Sequence, residues 1–329
     1  MLMFNRRSAL CCMAALMTTL ALSSAHAQSS RFPDRPIRLM VGTPAGGTTD
    51  VVARLVANKM GEQLGQSFVV ENHAGASGLI AAEDVAKSAA DGYTLLMAPS
   101  QLATYRALYP HTTFDPEKGL APVGLVATSP YVMVVHPSLP VKDLPELLAY
   151  AKAHPDDLSY AGSTPGSAQH LSWELIKRQA GVQMQYIPYK GTSALMPDLL
   201  SGRLKAGIDN VAILTPYIKS GQLRGIAVTS AERTSLLPDL PSVAASANMP
   251  GFQALGWFGL FAPRAVEPER LARLNEVLRK VMASQDVQNT LTGIGAETRS
   301  GSAQELQALL ARETAVWGKV IKDSGITVN

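Results

Sequence analysis

Short apolar segments alternate with amphipathic helical segments along most of the chain, and Gly-rich loops join many of the pairs. That alternation restricts the fold to an α/β architecture in which helices cover a mostly parallel sheet on both faces. The apolar run Ile37–Val41 enters the loop "GTPAGG" and then the segment "TTDVVARLVANKMGEQLG". There Val51, Val52, Leu55, Val56, Met60 and Leu64 recur at helical spacing, with Gly65 as the stop. "SFVVEN" and "YTLLMA" are the next strands, with the helix "ASGLIAAEDVAKSAA" between them. "LAPVGLVAT" and "YVMVVH" follow as two further strands, and "KDLPELLAYAKAHP" as a helix. Strand–loop–helix then repeats three times through "LSYAGSTPGSAQHLSWELIKRQAG", "MQYIPYKGTSALMPDLLSG" and "LKAGIDNVAILTPYIKSG". A Pro- and Ser-rich stretch, "TSAERTSLLPDLPSVAASANMPG", leads to "WFGLFAP" and the C-terminal helices. The last of these opens on the capping box Ser302-x-x-Glu305.

The C-terminal helices have few strands of their own and pack most simply on the first half. The expected organisation is therefore residues 28–127 plus 253–329 as lobe 1, with residues 128–252 inserted as lobe 2. Two crossings, near Thr128–Pro130 and Gly251–Gly256, permit hinge closure and resist twisting.

Residues 1–27 read as a secretory signal: basic "MLMFNRR", an apolar stretch, then Ala25-His26-Ala27 before Gln28. Export to the periplasm follows, with cleavage after Ala27. Removal of this segment takes Cys11 and Cys12, so no disulfide or thiol chemistry is expected of the mature 302 residues. It also takes Arg6 and Arg7, leaving 27 basic against 26 acidic residues. So even a balance gives no reason to expect nucleic acid or a membrane surface as partner. No later segment reaches the roughly 20 apolar residues of a membrane span.

Three Gly-rich helix starts carry the chemistry. Gly46-Gly47-Thr48-Thr49-Asp50 sits where unpaired amides and the helix dipole favour a carboxylate or phosphate, and glycine lets a ligand oxygen approach. The competing reading is a tight turn with Thr48 or Thr49 as cap. The loop is neither a Walker A motif nor a dinucleotide G-x-G-x-x-G. "ENHAGASG" (Glu71–Gly78) and "YAGSTPGSAQHL" (Tyr160–Leu171) repeat the arrangement, the latter adding Ser163, Thr164 and Ser167. Asp50 is either a ligand group or a carboxylate at the dipole end of its helix. His170 either donates to an anion or packs against its own loop. Asp209 either meets a ligand amine, hydroxyl or water, or caps the next helix. Lys190 is a cleft cation or a solvated side chain, and Trp257 and Phe258 read as core or hinge packing. Searches for G-x-S-x-G, H-E-x-x-H and paired histidines at metal spacing find nothing, so neither a metal nor a cofactor is expected.

Together, "RPIRLMVGTPAGGTTDVVAR", "VVENHAGASG", "ADGYTLLMA", "LSYAGSTPGSAQHLSWEL", "PYKGTSALMPDLLSGRL" and "LRGIAVTSAERTSLLPDLPSV" resemble the Bug family. These are periplasmic solute-binding proteins related to the binding component of tripartite tricarboxylate transporters. The resemblance runs from about Phe32 to Gly325. It implies a two-lobed Venus-flytrap fold that closes on small carboxylates, without catalysis. A monomer is expected, with transporter membrane subunits as partners or, if the chain is a sensor subunit, a two-component sensor. By resemblance the ligand carboxylate is held by Thr43–Asp50 and Gly75–Gly78, largely through backbone groups and water. The second lobe contributes Gly162–His170 and Asp209. The residues expected at the ligand are Thr43, Gly46, Gly47, Thr48, Asp50, Ala76, Ser77, Gly78, Ser163, Thr164, Gly166, Ser167, His170 and Asp209. The chain departs from the family pattern at Gly42 and Ala45, and in having Asn72-His73-Ala74-Gly75 where Asn-Arg-Pro-Gly is usual. The alternative class is a periplasmic α/β enzyme acting on a carboxylate, which turnover of a candidate acid would reveal.

Overall fold

The computed structural model describes residues 32–155, 157–162, 164–189, 191–299 and 301–328. The proposed signal segment, Ser163 and Lys190 lie outside the described residues. The first part of the chain forms β1 (Ile37–Val41), α1 (Thr48–Leu64), β2 (Phe68–Asn72), α2 (Leu79–Ala86), β3 (Thr94–Pro99), α3 (Tyr105–Leu108), α4 (Pro116–Gly119) and β4 (Leu120–Val135). Then come α5 (Leu144–Ala153), β5 (Ser159–Ala161), α6 (Ala168–Ala180), β6 (Gln185–Tyr186), α7 (Thr192–Leu200), β7 (Ala206–Asn210), α8 (Val211–Lys219) and β8 (Arg224–Val228). The chain finishes with α9 (Val243–Ser246), β9 (Leu255–Pro263), α10 (Pro268–Met282), α11 (Gln285–Gly293), β10 (Glu297–Thr298) and α12 (Ala303–Asp323).

The strands follow the order β2-β1-β3-β9-β4-β7-β5-β6, with β8 and β10 also paired to β4. The sheet is mixed. β1 runs parallel to β2 and β3, and β5 runs parallel to β6 and β7, as strand–helix alternation requires. The antiparallel pairs all involve β4 or β9, the strands that carry the chain between the two halves. The two strands expected at "LAPVGLVAT" and "YVMVVH" are one 16-residue strand, β4. It pairs with β9 from Leu120 to Pro130 and with β7 from Tyr131 to Val135, so one strand belongs to two sub-sheets. Pro130 falls at the change of partner, where a missing N–H costs least.

Helix α1 buries Thr49, Asp50, Val52, Ala53, Val56, Ala57 and Met60, and Gly65 ends it in the left-handed conformation. Val51, expected on this face, is instead 37% exposed, because the buried stripe follows Val52, Val56 and Met60. The stripe packs on Leu39, Val41, Leu95 and Met97 and on Leu274, Val277 and Val281 of α10. Each such fully buried side chain stabilises the fold by about 1.5–3 kcal/mol. Helix α12 has the expected capping box. It packs on β4 and reaches α6, where Arg178 pairs with Asp323 at 2.5 Å. Its buried Glu313 accepts from both Trp257 Nε1, at 3.2 Å, and Trp317 Nε1, at 2.9 Å. Trp257 is thus core, beside the second crossing.

Candidate functional site

The carboxyl ends of β1, β2, β3, β5 and β7 converge on a cleft between the two sub-sheets. Two adjoining cavities occupy it, of about 310 and 280 Å³, and both are bounded by Thr43, Pro99 and Gln101. The first is also lined by Ser77, Thr164, Gly166 and Ser167. The second is lined by Gly47, Thr48, Tyr131, Gln169, Thr192 and Asp209.

At the first loop, α1 begins after Gly47, which has extended dihedrals and no side chain with which to cap the helix. The first amides of a helix have no partner within it, so those of Thr48 and Thr49 are left to the second cavity. Beside them the Thr43 hydroxyl is buried with no hydrogen-bond partner among the described residues. Gly46 takes φ +81° and turns its N–H onto Asp50 Oδ2 at 2.9 Å. Asp50 is 3% exposed and also accepts from Arg54 Nε and from Asn72 Nδ2, both at 2.9 Å. Arg54 above all holds its carboxyl down at about 2. Asn72 Nδ2 also donates to Thr43 O at 3.0 Å. Gly46 and Asp50 line neither cavity; with Asn72 they fix the loop from behind.

The second loop stacks three left-handed residues, Ala76 (φ 44°), Ser77 (φ 56°) and Gly78 (φ 100°). For Ala76 and Ser77 that conformation costs about 1–3 kcal/mol each, so packing must hold it. Tyr105 OH donates to Ser77 O at 3.0 Å and Tyr109 OH to Ser77 Oγ at 3.2 Å. Gly78 faces the first loop: a Cβ on Gly42 would lie 2.5 Å from Gly78 Cα. Gly42, a departure from the family pattern, is what lets the loops touch backbone to backbone. Ser77 lines the cleft, whereas Ala76 and Gly78 do not.

The loop of the second sub-sheet satisfies itself. Ser167 Oγ accepts from His170 N at 3.2 Å and donates to Gly162 O, so it caps α6. His170 lines neither cavity; its ring turns onto its own loop and stacks on Tyr186. Asp209 is 2% exposed and accepts from Thr192 Oγ, from Asn210 N at 2.7 Å and from Gln169 Nε2 at 3.3 Å. Burial pushes its carboxyl up. It does not cap α8, which Asn210 does by accepting from Ala212 N at 2.8 Å.

Sequence reasoning missed Gln101, Tyr131 and Thr192, and included Gln169 only as part of the loop Gly162–His170. A signal existed for Gln101, since "MAPSQLATYR" is a third strand end followed by a helical turn. Tyr131 enters only because β4 continues into the second sub-sheet. Among the described residues no cluster of three metal-ligating side chains occurs, and no helix is long and apolar enough to cross a membrane.

The profile of the tripartite tricarboxylate transporter family receptor, TctC, matches residues 52–326. The chain is 35% identical to Protein BugT of Bordetella pertussis over 304 residues, which are 92% of this chain and 93% of BugT. It resembles the structure of R. palustris Rpa4515 with adipate at 39% identity and a TM-score of 0.75, covering 90% of this chain and 100% of that one. MatC from Rhodopseudomonas palustris with bound malate is 32% identical with a TM-score of 0.72, over 88% of this chain and all of that one. The chain therefore belongs to the TctC receptor family, the Bug-type solute-binding proteins of the periplasm, and has their two-lobed α/β fold.

Proposed function

We propose that this protein captures a small organic carboxylate in the cleft by lobe closure, for uptake through membrane subunits of a tripartite tricarboxylate-type transporter. The observation that carries the reading is the uncapped start of α1 beside the unpartnered Thr43 hydroxyl. Helix-start amides and a hydroxyl are donors that a carboxylate accepts from, and such charge-assisted bonds strengthen as water leaves. The carboxylate meets Thr43, Gly47 and Thr48, with Ser77 at the adjoining cavity. Thr164, Gln169, Thr192 and Asp209 meet the remainder of the ligand. Adipate and malate in the two related structures support this chemistry.

In this reading residues 28–127 and 253–329 form one lobe and 128–252 the other. The change of partner along β4 and the start of β9 at Leu255 support that division. The protein is exported, works in the periplasm and carries out no reaction on its ligand. Thermal unfolding with adipate, malate and the uncharged 1,6-hexanediol tests the binding. A carboxylate at a hundred times its dissociation constant stabilises by about 2.7 kcal/mol, and the diol has no effect. No stabilisation by any acid in a wider carboxylate panel would overturn the reading.

A further inference from the structure

Behind the second lobe's loop lies a buried group of titratable side chains that the cleft does not touch. His170 is 5% exposed and lies parallel to the Tyr186 ring, with 3.7 Å between centroids and 11° between planes. Its Nδ1 accepts the N–H of Gly166 at 3.1 Å. Its Nε2 faces Glu174 Oε1 at 3.8 Å. Glu174 also accepts from Tyr160 OH and, at 2.7 Å, from Lys177 Nζ, which lies over the Tyr160 ring. A ring nitrogen accepts only while it carries no proton, so this geometry requires the neutral imidazole with its hydrogen on Nε2.

We propose that His170 is a positioning residue: its neutral ring holds residues 164–167 in the shape that lines the cleft, and protonation releases them and weakens ligand binding. The proposal rests on the carboxylate-binding reading of that cleft. Protonated Nδ1 would present a hydrogen to the hydrogen of Gly166 N, so the bond is lost and the two groups repel. Gly166 packs closely against Leu108. It sits at φ +75°, and a Cβ there would lie 2.9 Å from the Leu108 side chain of the other lobe. A shift of this loop therefore changes the contact between lobes as well as the cavity wall.

The groups facing the ring set the direction of its titration. Burial opposes the charged form most, Glu174 favours it, and Lys177 opposes it; together they hold the imidazole down at about 4. The ring is neutral at physiological pH, and the hold on the loop fails as pH falls toward that value.

Adipate affinity is to be measured by calorimetry from pH 7 to pH 4 in the wild type, His170→Asn and His170→Leu. The Asn Oδ1 takes the place of Nδ1 and cannot be protonated in this range. Adipate's own protonation is common to all three proteins, so ratios of their dissociation constants isolate the side chain. The wild-type value divided by that of His170→Asn stays constant near neutrality and rises about twofold by pH 4, where half of the free protein carries the proton and is unfit to bind. His170→Leu binds weakly at every pH. A ratio that stays flat to pH 4 overturns the proposal.

Imidazole nitrogen NMR of the ligand-free wild type gives an independent reading. Unprotonated Nδ1 at pH 7 supports the assignment, and protonated Nδ1 overturns it. Should adipate and the wider acid panel fail to bind at any pH, the carboxylate reading fails, while the imidazole spectrum still decides the role of His170.

Discussion

The two lobes each present a Gly-rich loop that opens a helix into the same cleft, yet the loops are wired differently. In lobe 1 the cap position is Gly47, and the helix start is left for an external acceptor. In lobe 2 the cap position is Ser167, and its hydroxyl takes up the His170 amide. Each loop also contains a glycine N–H directed inward onto a side chain four residues on. Gly46 donates to Asp50 and Gly166 to His170, across the same four-residue spacing. The inward bond fixes the loop in both lobes. The cap residue is what differs: Ser167 satisfies its helix start, and Gly47 leaves its own without a side-chain cap.

The sharpest way to break this contrast is to give the first loop a cap. Gly47 has φ −73° and ψ 164°, suited to a capping side chain, although a Cβ there would lie 3.3 Å from Pro44 O. In Gly47→Asp the new carboxylate occupies the amides that the ligand needs. Carboxylate affinity should fall by about a hundredfold or more in calorimetry, from lost charge-assisted hydrogen bonds and repulsion. Thermal stability should stay within about 1 kcal/mol of wild type, because the new cap satisfies the helix. Gly47→Val should lose affinity by obstruction alone, again with the fold intact.

Next in size is Asp50→Ala, which leaves Gly46 N, Arg54 and Asn72 without their shared acceptor. We expect about 3 kcal/mol of lost stability in urea unfolding. The native carboxyl titrates at about 2 against an ordinary 3.8. With the folded value depressed, its contribution is complete above about pH 4 and disappears as pH falls toward 2. The substitution should remove that part of the acid dependence. His170 acts in an adjacent window. Its folded value of about 4 lies below the ordinary 6.5, so the unfolded chain binds the proton more readily. That contribution is complete above about pH 6.5 and declines as pH falls toward 4, and His170→Asn should flatten this window in the same unfolding measurement.

The smallest effect belongs to Ser167→Ala. Loss of the α6 cap should cost about 1 kcal/mol of stability and change affinity by a few-fold at most, since the hydroxyl is engaged within the protein. A hundredfold loss of affinity without loss of stability would place Ser167 in the ligand site and erase the contrast between loops.

Much of this arrangement is legible in the sequence. The glycine and threonine spacing locates all three helix starts, and the 3.6-residue periodicity locates the helices behind them. The capping box at Ser302 and the Gly65 stop are local chemistry and appear where local rules put them. What is not legible is which way a side chain turns. Asp50 and His170 both follow a Gly-rich loop, and in both the decisive partner is a glycine amide four residues earlier, a pairing that depends on loop dihedrals. Tyr131 and Thr192 reach the cleft through tertiary placement on β4 and α7, so their local pattern carries no mark of it. The mixed sheet likewise follows from β4 serving both lobes, which reads locally as two separate apolar runs.

The most direct test of carboxylate capture is mass spectrometry of small molecules released on denaturing the protein purified from its native host, in parallel with Gly47→Asp. The wild type should release a stoichiometric small carboxylic acid, and the variant none. The same acid released in equal amount from both, or a bound molecule without a carboxylate, would contradict it.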